Sequence, residues 1–381
     1  MTLHIFNPEH DIALAANLDI FTAPHAGRQL RHDLAFLPAL WAAEGDALLV
    51  DDVEVARKGL LRLSHKCSPL SGFRAEGDVL PRRLQLVEAR QLASTPVNAV
   101  NPWGWDRALR ALLQRKGIDS SLLPSSEQLD AIRQLSHRRE AAALLAALHE
   151  QLADWQTSLV GEAVECHEEG EVEALLARWP QVVMKAPWSS SGRGLRFASD
   201  LQPHRGWLRN LLERQGSVMV EPYYNKVKDF GMEFASDGQG GVTFLGLSLF
   251  HTANGAYTGN LLMTEAAKRQ QLSRYLPLPL LDAVQQTVCS QLSTTIGQRY
   301  CGPFGIDMMI IANPRSLTTN THYPTPNTLL HPCVEINLRR TMGHAALSLT
   351  PLVNPEADDE LVRVMRIVYE DNNYKLKIQR L

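Results

Sequence analysis

The sequence predicts an α/β unit followed by a larger unit of the α+β class. Strand and helix patterns alternate over the first hundred residues, which favours an open sheet covered by helices. From residue 158 onward strand patterns dominate, and the helices between them are predicted to be fewer and shorter. The chain has 381 residues, of which 45% are hydrophobic, so two or three folding units with sizeable cores can form.

The charge balance excludes one broad class of partner. Lys and Arg number 38 against 41 Asp and Glu, giving a formal net charge of −3. This balance offers no bulk attraction for a polyanion, so we expect no nucleic-acid partner. No segment approaches the roughly 20 apolar residues of a membrane span, and Glu9 and Asp11 interrupt the segment where a signal peptide would be apolar. We expect a cytoplasmic protein with no membrane partner.

The cysteines are odd in number, scattered, and without a CxxC pair. This pattern fits neither a disulfide framework nor a structural zinc site. We expect reduced thiols in buried or half-buried positions. The five are Cys67, Cys166, Cys289, Cys301 and Cys333.

The first hundred residues provide the elements of the α/β unit. Short apolar runs predict strands over Leu3–Phe6 and Ala47–Val50, and apolar residues at helical spacing predict a helix over Leu30–Ala43. Another strand is predicted over Val97–Val100, before a turn-rich segment. A helix over Arg107–Lys116 follows, and we place the first boundary near residues 107–125.

The remainder of the chain begins with helical signals and continues with strands. Ser125 offers N-cap chemistry, and the Ala- and Leu-rich segment Arg138–Leu152 predicts a helix. The stretch Ala312–Pro332 is rich in Pro, Thr and Asn, which is typical of a long loop or insertion. The predicted strands are Val182–Lys185, Val218–Glu221, Gly231–Ala235, Val242–Phe250, Gly305–Ile311 and Cys333–Asn337.

The first candidate motif is a strand that ends at Lys185 and runs into a Ser/Gly loop. Glycines allow close backbone approach to a ligand, and successive N–H groups and hydroxyls can surround phosphate oxygens. Lys185 would supply a point charge and Arg193 a second cation. The motif matches neither the P-loop nor the dinucleotide fingerprint. A solvent-exposed turn rich in small residues is the alternative interpretation.

The second motif places Asp307 inside an otherwise apolar strand, with Glu335, Asn337 and Arg339 downstream. Residues two apart on a strand face one side, so the last three are expected to project together. An isolated carboxylate among apolar neighbours is costly unless it is paired or coordinates a cation. Oxygens of Asp, Glu and Asn suit Mg²⁺ held between protein and phosphates. A half-exposed strand shows the same alternation and stays an alternative.

The third motif is a strand that leaves its sheet at Glu221-Pro222. The segment that follows, with Tyr223 and later Glu233, would carry exposed backbone groups that can bind a purine edge. Glu221 would accept from the exocyclic amine. A strand end with a carboxylate at its rim is the alternative.

The order of these three motifs resembles the ATP-grasp superfamily over roughly residues 125–350. The region before them is similar to the domain that often precedes the ATP-grasp fold in these enzymes. The resemblance implies a Rossmann-like pre-ATP-grasp domain over 1–120, a small ATP-grasp subdomain over 121–200, and a large subdomain with the metal site over 201–381.

The resemblance also implies roles for individual residues. Mg²⁺, or Mn²⁺ in its place, would be held by Asp307, Glu335 and Asn337. The nucleotide would contact Lys185, Glu221, Pro222, Tyr223 and Glu233, and the phosphate-covering loop would contain Ser190, Ser191, Gly192 and Gly194. The transferred phosphate would face Arg339 and Arg193. The superfamily usually has a lysine near the start of the small subdomain, where this chain offers Arg138 or Arg139.

The implied activity is an ATP- and Mg²⁺-dependent ligation of a carboxylate to an amine through an acyl phosphate, with release of ADP. A small-molecule kinase and a non-catalytic nucleotide-binding regulator are the alternatives. The expected partners are small-molecule carboxylates and amines, and a homodimer is left open. The substrates are undetermined, although Asn7–Asp11 and Asn101–Asp106 follow predicted strands, where ligands gather in open α/β sheets. Turn and packing roles are the alternative for both segments.

Overall fold

The computed structural model is a mixed α/β protein. It describes residues 1–67, 84–189, 194–253, 256–314 and 327–380. The chain divides into two compact units. The first contains residues 1–133, 258–267 and 339–381, and the second contains residues 134–257 and 268–338. The predicted division at residues 120 and 200 stays a prediction.

A parallel four-stranded sheet organises the start of the first unit. The elements up to residue 135 are β1 (Thr2–Ile5), α1 (His10–Ala16), α2 (His25–Leu34), β2 (Ala47–Val50), α3 (Val53–Cys67), β3 (Gln85–Glu88), β4 (Ala99–Pro102), α4 (Arg107–Arg115) and α5 (Ser126–Leu135). The strands follow the order β3-β2-β1-β4, with Leu3 aligned to Ala47 on one side and Val100 on the other. The first strand of the chain therefore lies inside the sheet, and its apolar side chains enter the core.

Two predictions in this region need correction. The helix predicted over Leu30–Ala43 ends at Leu34, and a separate 3₁₀ turn over Leu37–Leu40 follows. Pro38 has no N–H to donate into a continuing α-helix, which explains the break. The strand predicted over 97–100 is found two residues later, at Ala99–Pro102.

The N-cap prediction is confirmed. Ser125 Oγ accepts from the backbone N–H of Gln128 at 3.1 Å, and the Gln128 side chain accepts from Ser125 N–H at 2.8 Å. This reciprocal pair is a capping box, which satisfies two N–H groups at the start of α5.

The middle of the chain supplies a small antiparallel sheet and several helices. Its elements are α6 (Arg138–Gln151), β5 (Val164–Cys166), α7 (Glu169–Arg178), β6 (Val182–Lys185), β7 (Leu195–Ala198), α8 (Arg205–Gln215), β8 (Val218–Pro222), β9 (Lys226–Asp237), β10 (Val242–Ala253), β11 (Ala256–Leu262), α9 (Glu265–Leu272), α10 (Leu278–Ser293) and α11 (Ile296–Arg299). The small sheet has the order β5-β8-β6-β7. The expectation of shorter helices after residue 158 fails at α10, which has 16 residues and buries Leu281, Val284 and Val288 at helical spacing.

The last segment contains β12 (Cys301–Ala312), β13 (Thr328–Asn337), α12 (Met342–Val353), β14 (Arg363–Glu370) and β15 (Asn373–Arg380). Antiparallel strands of the second unit follow the order β13-β12-β9-β10. The loop predicted over 312–332 is wrong at its end, since β13 already begins at Thr328. Pro332 is tolerated there because the pairing with β12 is interrupted by a bulge between Asp307 and Met309.

The larger sheet of the second unit has one apolar and one polar face. Phe230, Met232 and Phe234 of β9 lie opposite Met308, Ile306 and Phe304 of β12. The rings of Phe234 and Phe304 stack with centroids 5.3 Å apart. The intervening positions, which include Asp307 and Glu233, project to the other face because side chains alternate along a strand. The apolar packing therefore fixes which way the candidate ligands point.

Two further expectations can be compared with the structure. Within the described ranges, no helix is long and apolar enough to cross a membrane. Cys166, Cys289, Cys301 and Cys333 are free thiols, of which the exposed Cys301 contradicts the prediction that all lie buried or half-buried. The side chain of Cys67 lies outside the described part of the chain.

Candidate functional site

The strand register brings the predicted metal ligands side by side. Asp307 on β12 lies opposite Glu335 on β13, and Gly305 lies opposite Asn337. The Asn337 amide donates to Asp307 Oδ2 at 3.1 Å, so the carboxylate that looked isolated in the sequence has a partner. Two carboxylates and one amide therefore share the polar face.

The predicted alignment of Arg339 with Glu335 and Asn337 is wrong. Strand β13 ends at Asn337, and Arg339 belongs to the first unit. There its Nε donates to both carboxylate oxygens of Asp11 at 2.9 Å, and its Nη2 lies 2.8 Å from Asp11 Oδ2. The alternation ends because the chain leaves the sheet before Arg339.

The neighbouring strand leaves room beside Asp307. Gly231 of β9 lies opposite Asp307, and Glu233 lies opposite Gly305 and is buried. A Cβ at Gly231 would stand 3.2 Å from Ile306 O and 3.5 Å from Asp307 Oδ1, closer to the backbone than side chains normally approach. The missing side chain keeps the space next to the carboxylate free.

The donor set fits a hard cation, although only in part through carboxylates. Across the described residues, no group of three or more His, Cys, Asp or Glu side chains is arranged to hold a metal ion. The predicted metal ligands are two carboxylates, those of Asp307 and Glu335, and one amide oxygen, that of Asn337. All three donors are oxygens, which is the ligand type that Mg²⁺ prefers.

Arg138, at the first turn of α6, connects three parts of the second unit. Its Nη2 lies 2.8 Å from Glu335 Oε1 and 3.2 Å from the Ser189 carbonyl oxygen, to which it donates. Its Nε donates to the carbonyl of Ala186 at 3.0 Å. The side chain is only 8% exposed. Of the two arginines that the sequence left open, Arg138 is therefore the one that contacts a predicted metal ligand.

Arg138→Ala is expected to lower the free energy of unfolding by about 3 kcal/mol, because it leaves Glu335 and two carbonyls without their cationic donor. Arg139→Ala is the matched control. Arg139 pairs with Glu165 at 2.8 Å, but its side chain is 53% exposed, so we expect a loss below about 1 kcal/mol. Urea denaturation of both variants measures the difference, and equal losses would contradict the assignment.

Lys185 and Glu221 form a buried ion pair. Lys185 Nζ lies 2.6 Å from Glu221 Oε1, and the two residues are 5% and 8% exposed. The pair is diagonal on adjacent strands, since Val183 of β6 lies opposite Glu221 of β8. Such a pair presents a lysine charge and a carboxylate at one end of the small sheet.

The other residues predicted to contact a nucleotide surround the exit of β8. Pro222 is the last residue of the strand, and Tyr223 is 47% exposed, with its ring edge-on to Phe197 at 5.9 Å. Burial raises the pKa of Tyr224, and the Glu162 and Glu221 carboxylates raise it further. The strand exit thus carries exposed and half-buried aromatic rings next to Glu221.

Cys333 lies on β13, two residues before Glu335. The thiol is buried, which raises its pKa, and the Glu221, Asp307 and Glu335 carboxylates raise it further while Lys185 opposes them. The contacts of Arg138 link the end of β6, which carries Lys185, to the Glu335 carboxylate.

His331, two residues before Cys333, is a buried polar residue that none of the three sequence motifs includes. It is 1% exposed, and neither ring nitrogen has a hydrogen-bond partner among the described residues. Its ring lies edge-on to Tyr224 at 5.7 Å. Burial and the nearby Lys185 charge lower its pKa to about 3. His331 falls within the predicted loop Ala312–Pro332, although its spacing from Cys333 and Glu335 continues the alternation of side chains along the strand.

The pKa of His331 predicts a pH effect on stability. The neutral ring is favoured in the folded state, so its contribution is complete above the unfolded pKa of about 6.5 and is lost as pH falls towards 3. Wild type should therefore lose up to about 1.4 kcal/mol per pH unit relative to His331→Leu between pH 6 and pH 4. Urea denaturation across this range measures both, and parallel curves would contradict the prediction.

The end of the Ser/Gly loop is closed by Gly194. Ala186 N–H donates to the Gly194 carbonyl at 2.9 Å, which ties the two loop ends together. A Cβ at Gly194 would lie 2.3 Å from Ser189 Oγ, so only glycine fits without rearrangement. The predicted loop residues between them, Ser190, Ser191, Gly192 and Arg193, lie outside the described residues.

In the first unit, the two segments that follow predicted strands come together. The Asn7 amide donates to the Gly104 carbonyl at 2.8 Å, and His10 Nδ1 lies 3.2 Å from Asp106 Oδ2. A Cβ at Gly104 would lie 2.6 Å from the His10 ring. These contacts join the carboxyl ends of β1 and β4.

Comparison with known proteins adds structural similarities alone. No protein-family model and no curated protein matches the chain. Among solved structures, it is similar to N5-carboxyaminoimidazole synthetase from Staphylococcus aureus complexed with ADP, at 10% identity and a TM-score of 0.47, covering 97% of this chain and 83% of that chain.

Two further structures are similar over most of the chain. The biotin carboxylase domain of the Hydrogenobacter thermophilus 2-oxoglutarate carboxylase, in complex with MgADP, ADP and bicarbonate, has 12% identity and a TM-score of 0.48, covering 86% of this chain and 75% of that chain. A RimK domain ATP-grasp protein from Sphaerobacter thermophilus has 17% identity and a TM-score of 0.39, covering 82% and 98%. The last of these is described as an ATP-grasp protein.

Proposed function

We propose that the chain is an ATP- and Mg²⁺-dependent ligase that joins a carboxylate to an amine through an acyl phosphate and releases ADP. The observation that carries the proposal is Arg138, which pairs with Glu335 at 2.8 Å and donates to the carbonyl of Ala186, the residue after the buried Lys185. Phosphoryl transfer requires positioned charge more than a covalent nucleophile. A buried cation and a row of oxygen donors in one region meet that requirement.

The proposed metal site consists of Asp307, Glu335 and Asn337. A bound Mg²⁺ would neutralise charge on the phosphates during transfer. Asn337 and Asp307 are already hydrogen-bonded to each other, and Arg138 holds Glu335. These residues therefore orient one another before a cation arrives, which lowers the cost of assembling the site.

The proposed nucleotide contacts follow from the buried ion pair and its surroundings. Lys185 would bind phosphate oxygens, and Glu221 with the chain through Pro222 and Tyr223 would bind the base edge. Glu233, buried on the polar face of β9, would support the phosphate end of the site. The Ser/Gly loop would cover the phosphates and exclude water from the acyl phosphate.

Two arginines are proposed to contact the transferred phosphate, and the structure describes the surroundings of only Arg339. Arg193 lies outside the described residues, and Arg339 is held by Asp11. A direct role for Arg339 therefore requires its guanidinium to exchange the Asp11 carboxylate for phosphate oxygens. Both are anions with a suitable fork geometry for arginine.

Incubation with MgATP and pooled carboxylates and amines tests the proposed reaction. Release of free phosphate and ADP only when both substrate types are present supports ligation. ATP consumption with the phosphate retained on an acceptor shows a kinase instead. Nucleotide binding without turnover across a broad panel shows a non-catalytic regulator.

A further inference from the structure

A cavity of about 330 Å³ lies in the first unit at the carboxyl ends of its parallel strands. Its wall includes Asn7 and Glu9 after β1, Asp51 after β2, Ala89 after β3 and Asp106 after β4. In the order β3-β2-β1-β4, strands β2 and β3 are added on one side of β1, and β4 is then added on the opposite side of β1. Ligands of open α/β sheets bind at such a switch point, beyond the carboxyl ends of the strands.

Glu9 provides an unsatisfied acceptor in this wall. Its Oε1 is bound by Arg31, which also donates to Asp51 at 3.1 Å. Its Oε2 is buried and has no hydrogen-bond partner in the part of the chain that the structure describes. The residue is 8% exposed, so water does not readily replace the missing donor. A ligand N–H group reached by a small rotation of the carboxylate would satisfy this oxygen.

Two arginines at the same cavity carry unneutralised charge. Arg28 and Arg115 both line the cavity and are exposed, and neither contacts a carboxylate among the described residues. A guanidinium binds carboxylate or phosphate through paired N–H donors. The exposed Asp19 also lines the cavity, so one ligand can contact both positively and negatively charged side chains there.

The remaining wall is apolar, with Ile20, Phe21 and Leu112 among its side chains. An apolar wall accepts the carbon body of a ligand, and the few polar groups fix its orientation. The mixture of unpaired acceptor and unpaired guanidinium groups favours a molecule that carries both an amine and an anionic group over a simple anion.

We propose that this cavity binds a small amine-bearing anion of amino-acid to dipeptide size, with its ammonium group at Glu9 and its anionic group at Arg28 and Arg115. The anionic group is a carboxylate or a phosphate, which share this recognition. The identification of such a molecule as the amine substrate rests on the proposed ligase function, whereas the binding itself does not.

Isothermal titration calorimetry on the full chain, without nucleotide or Mg²⁺, tests the site. The probes are the common L-amino acids, leucyl-glycine and glucosamine 6-phosphate, which separate the carboxylate from the phosphate. Each probe that binds is compared with one analogue that lacks the amine and one that lacks the anionic group. For leucine these analogues are 4-methylpentanoate, without the amine, and isoamylamine, without the carboxylate. We expect at least a tenfold weaker Kd for both analogues.

Variants distinguish this site from surface binding. Glu9→Gln should weaken binding of the amine-bearing probe at least tenfold, and Arg28→Ala with Arg115→Ala should do the same through the anion. Glu127→Gln and Arg209→Ala, at exposed positions that do not line the cavity, should leave Kd unchanged. Binding of no probe at millimolar concentration, equal binding of the analogue without the amine, or unchanged binding by Glu9→Gln would overturn the proposal. Probe binding without ATP consumption in the substrate screen would contradict the ligase and leave this site standing.

Discussion

Asp307→Asn is expected to abolish Mg²⁺-dependent ATP turnover, with a loss of about 100-fold or more. The substitution removes one of two carboxylate charges from the proposed metal site and leaves an oxygen that can still accept from the Asn337 amide. The fold should therefore survive while the cation is no longer held. Steady-state ADP release at increasing Mg²⁺ concentration measures the effect, and the midpoint of thermal unfolding without ligand checks the fold.

Asp154→Asn is the matched control for this variant. Asp154 is exposed in the 3₁₀ turn Ala153–Ser158 that follows α6, within the same compact unit, and its loss should leave both turnover and stability unchanged. Wild-type turnover in Asp307→Asn would show that the metal is held elsewhere. An unfolded Asp307→Asn chain would instead indicate that Asp307 is needed for the packing of the sheet. Adding Asn337→Asp to this variant restores a carboxylate at the neighbouring position and tests whether the fold recovers.

Lys185→Met is expected to lower the free energy of unfolding by about 3–5 kcal/mol, because it leaves the Glu221 carboxylate buried without its cation. ATP binding should be lost as well, since the proposed phosphate contact disappears with the ammonium group. Urea denaturation measures the first effect, and equilibrium binding of a fluorescent ATP analogue measures the second.

The double variant Lys185→Met with Glu221→Leu separates the two effects. Replacing both charges by apolar groups removes the uncompensated carboxylate, so stability should return to within about 1–2 kcal/mol of wild type while ATP binding stays lost. Lys377→Met, which breaks a half-exposed pair with Glu370, should cost at most about 1 kcal/mol. Recovery of ATP binding in the double variant would contradict the role of Lys185.

The alternation of residues along β12 and β13 made part of the candidate site predictable. A period of two, which is a local property of any strand, predicts Glu335 and Asn337 on one face. Asp307 joins them through the register of β12 with β13. The same rule failed for Arg339, because the strand ends before it. It was not applied to His331, because Pro and Asn residues nearby indicated a loop, whereas the bulge in β13 accommodates Pro332.

The choice between Arg138 and Arg139 could not be made from the sequence. Both stand in the first turn of a helix, and neither the capping pattern nor the helical spacing distinguishes them. In the structure Arg138 donates to the Ala186 carbonyl beside the end of β6 and pairs with Glu335, whereas Arg139 pairs with Glu165 and is 53% exposed. Which of them takes the place of the superfamily's lysine stays a prediction. Contacts between elements that are far apart in the chain leave no local sequence pattern around Arg138 or Arg139.

By itself, the sequence determined the mixed α/β class of the fold and the residue types of the candidate site. Strand periodicity, the lysine at a strand end and oxygen donors at alternate positions are all local, and local patterns carry backbone preference and facing direction. Only the tertiary structure decided the partners: Lys185 with Glu221, Arg138 with Glu335, and Arg339 with Asp11. These pairs depend on strand register and on which side chains lose water on burial, and both are set by the packed fold as a whole.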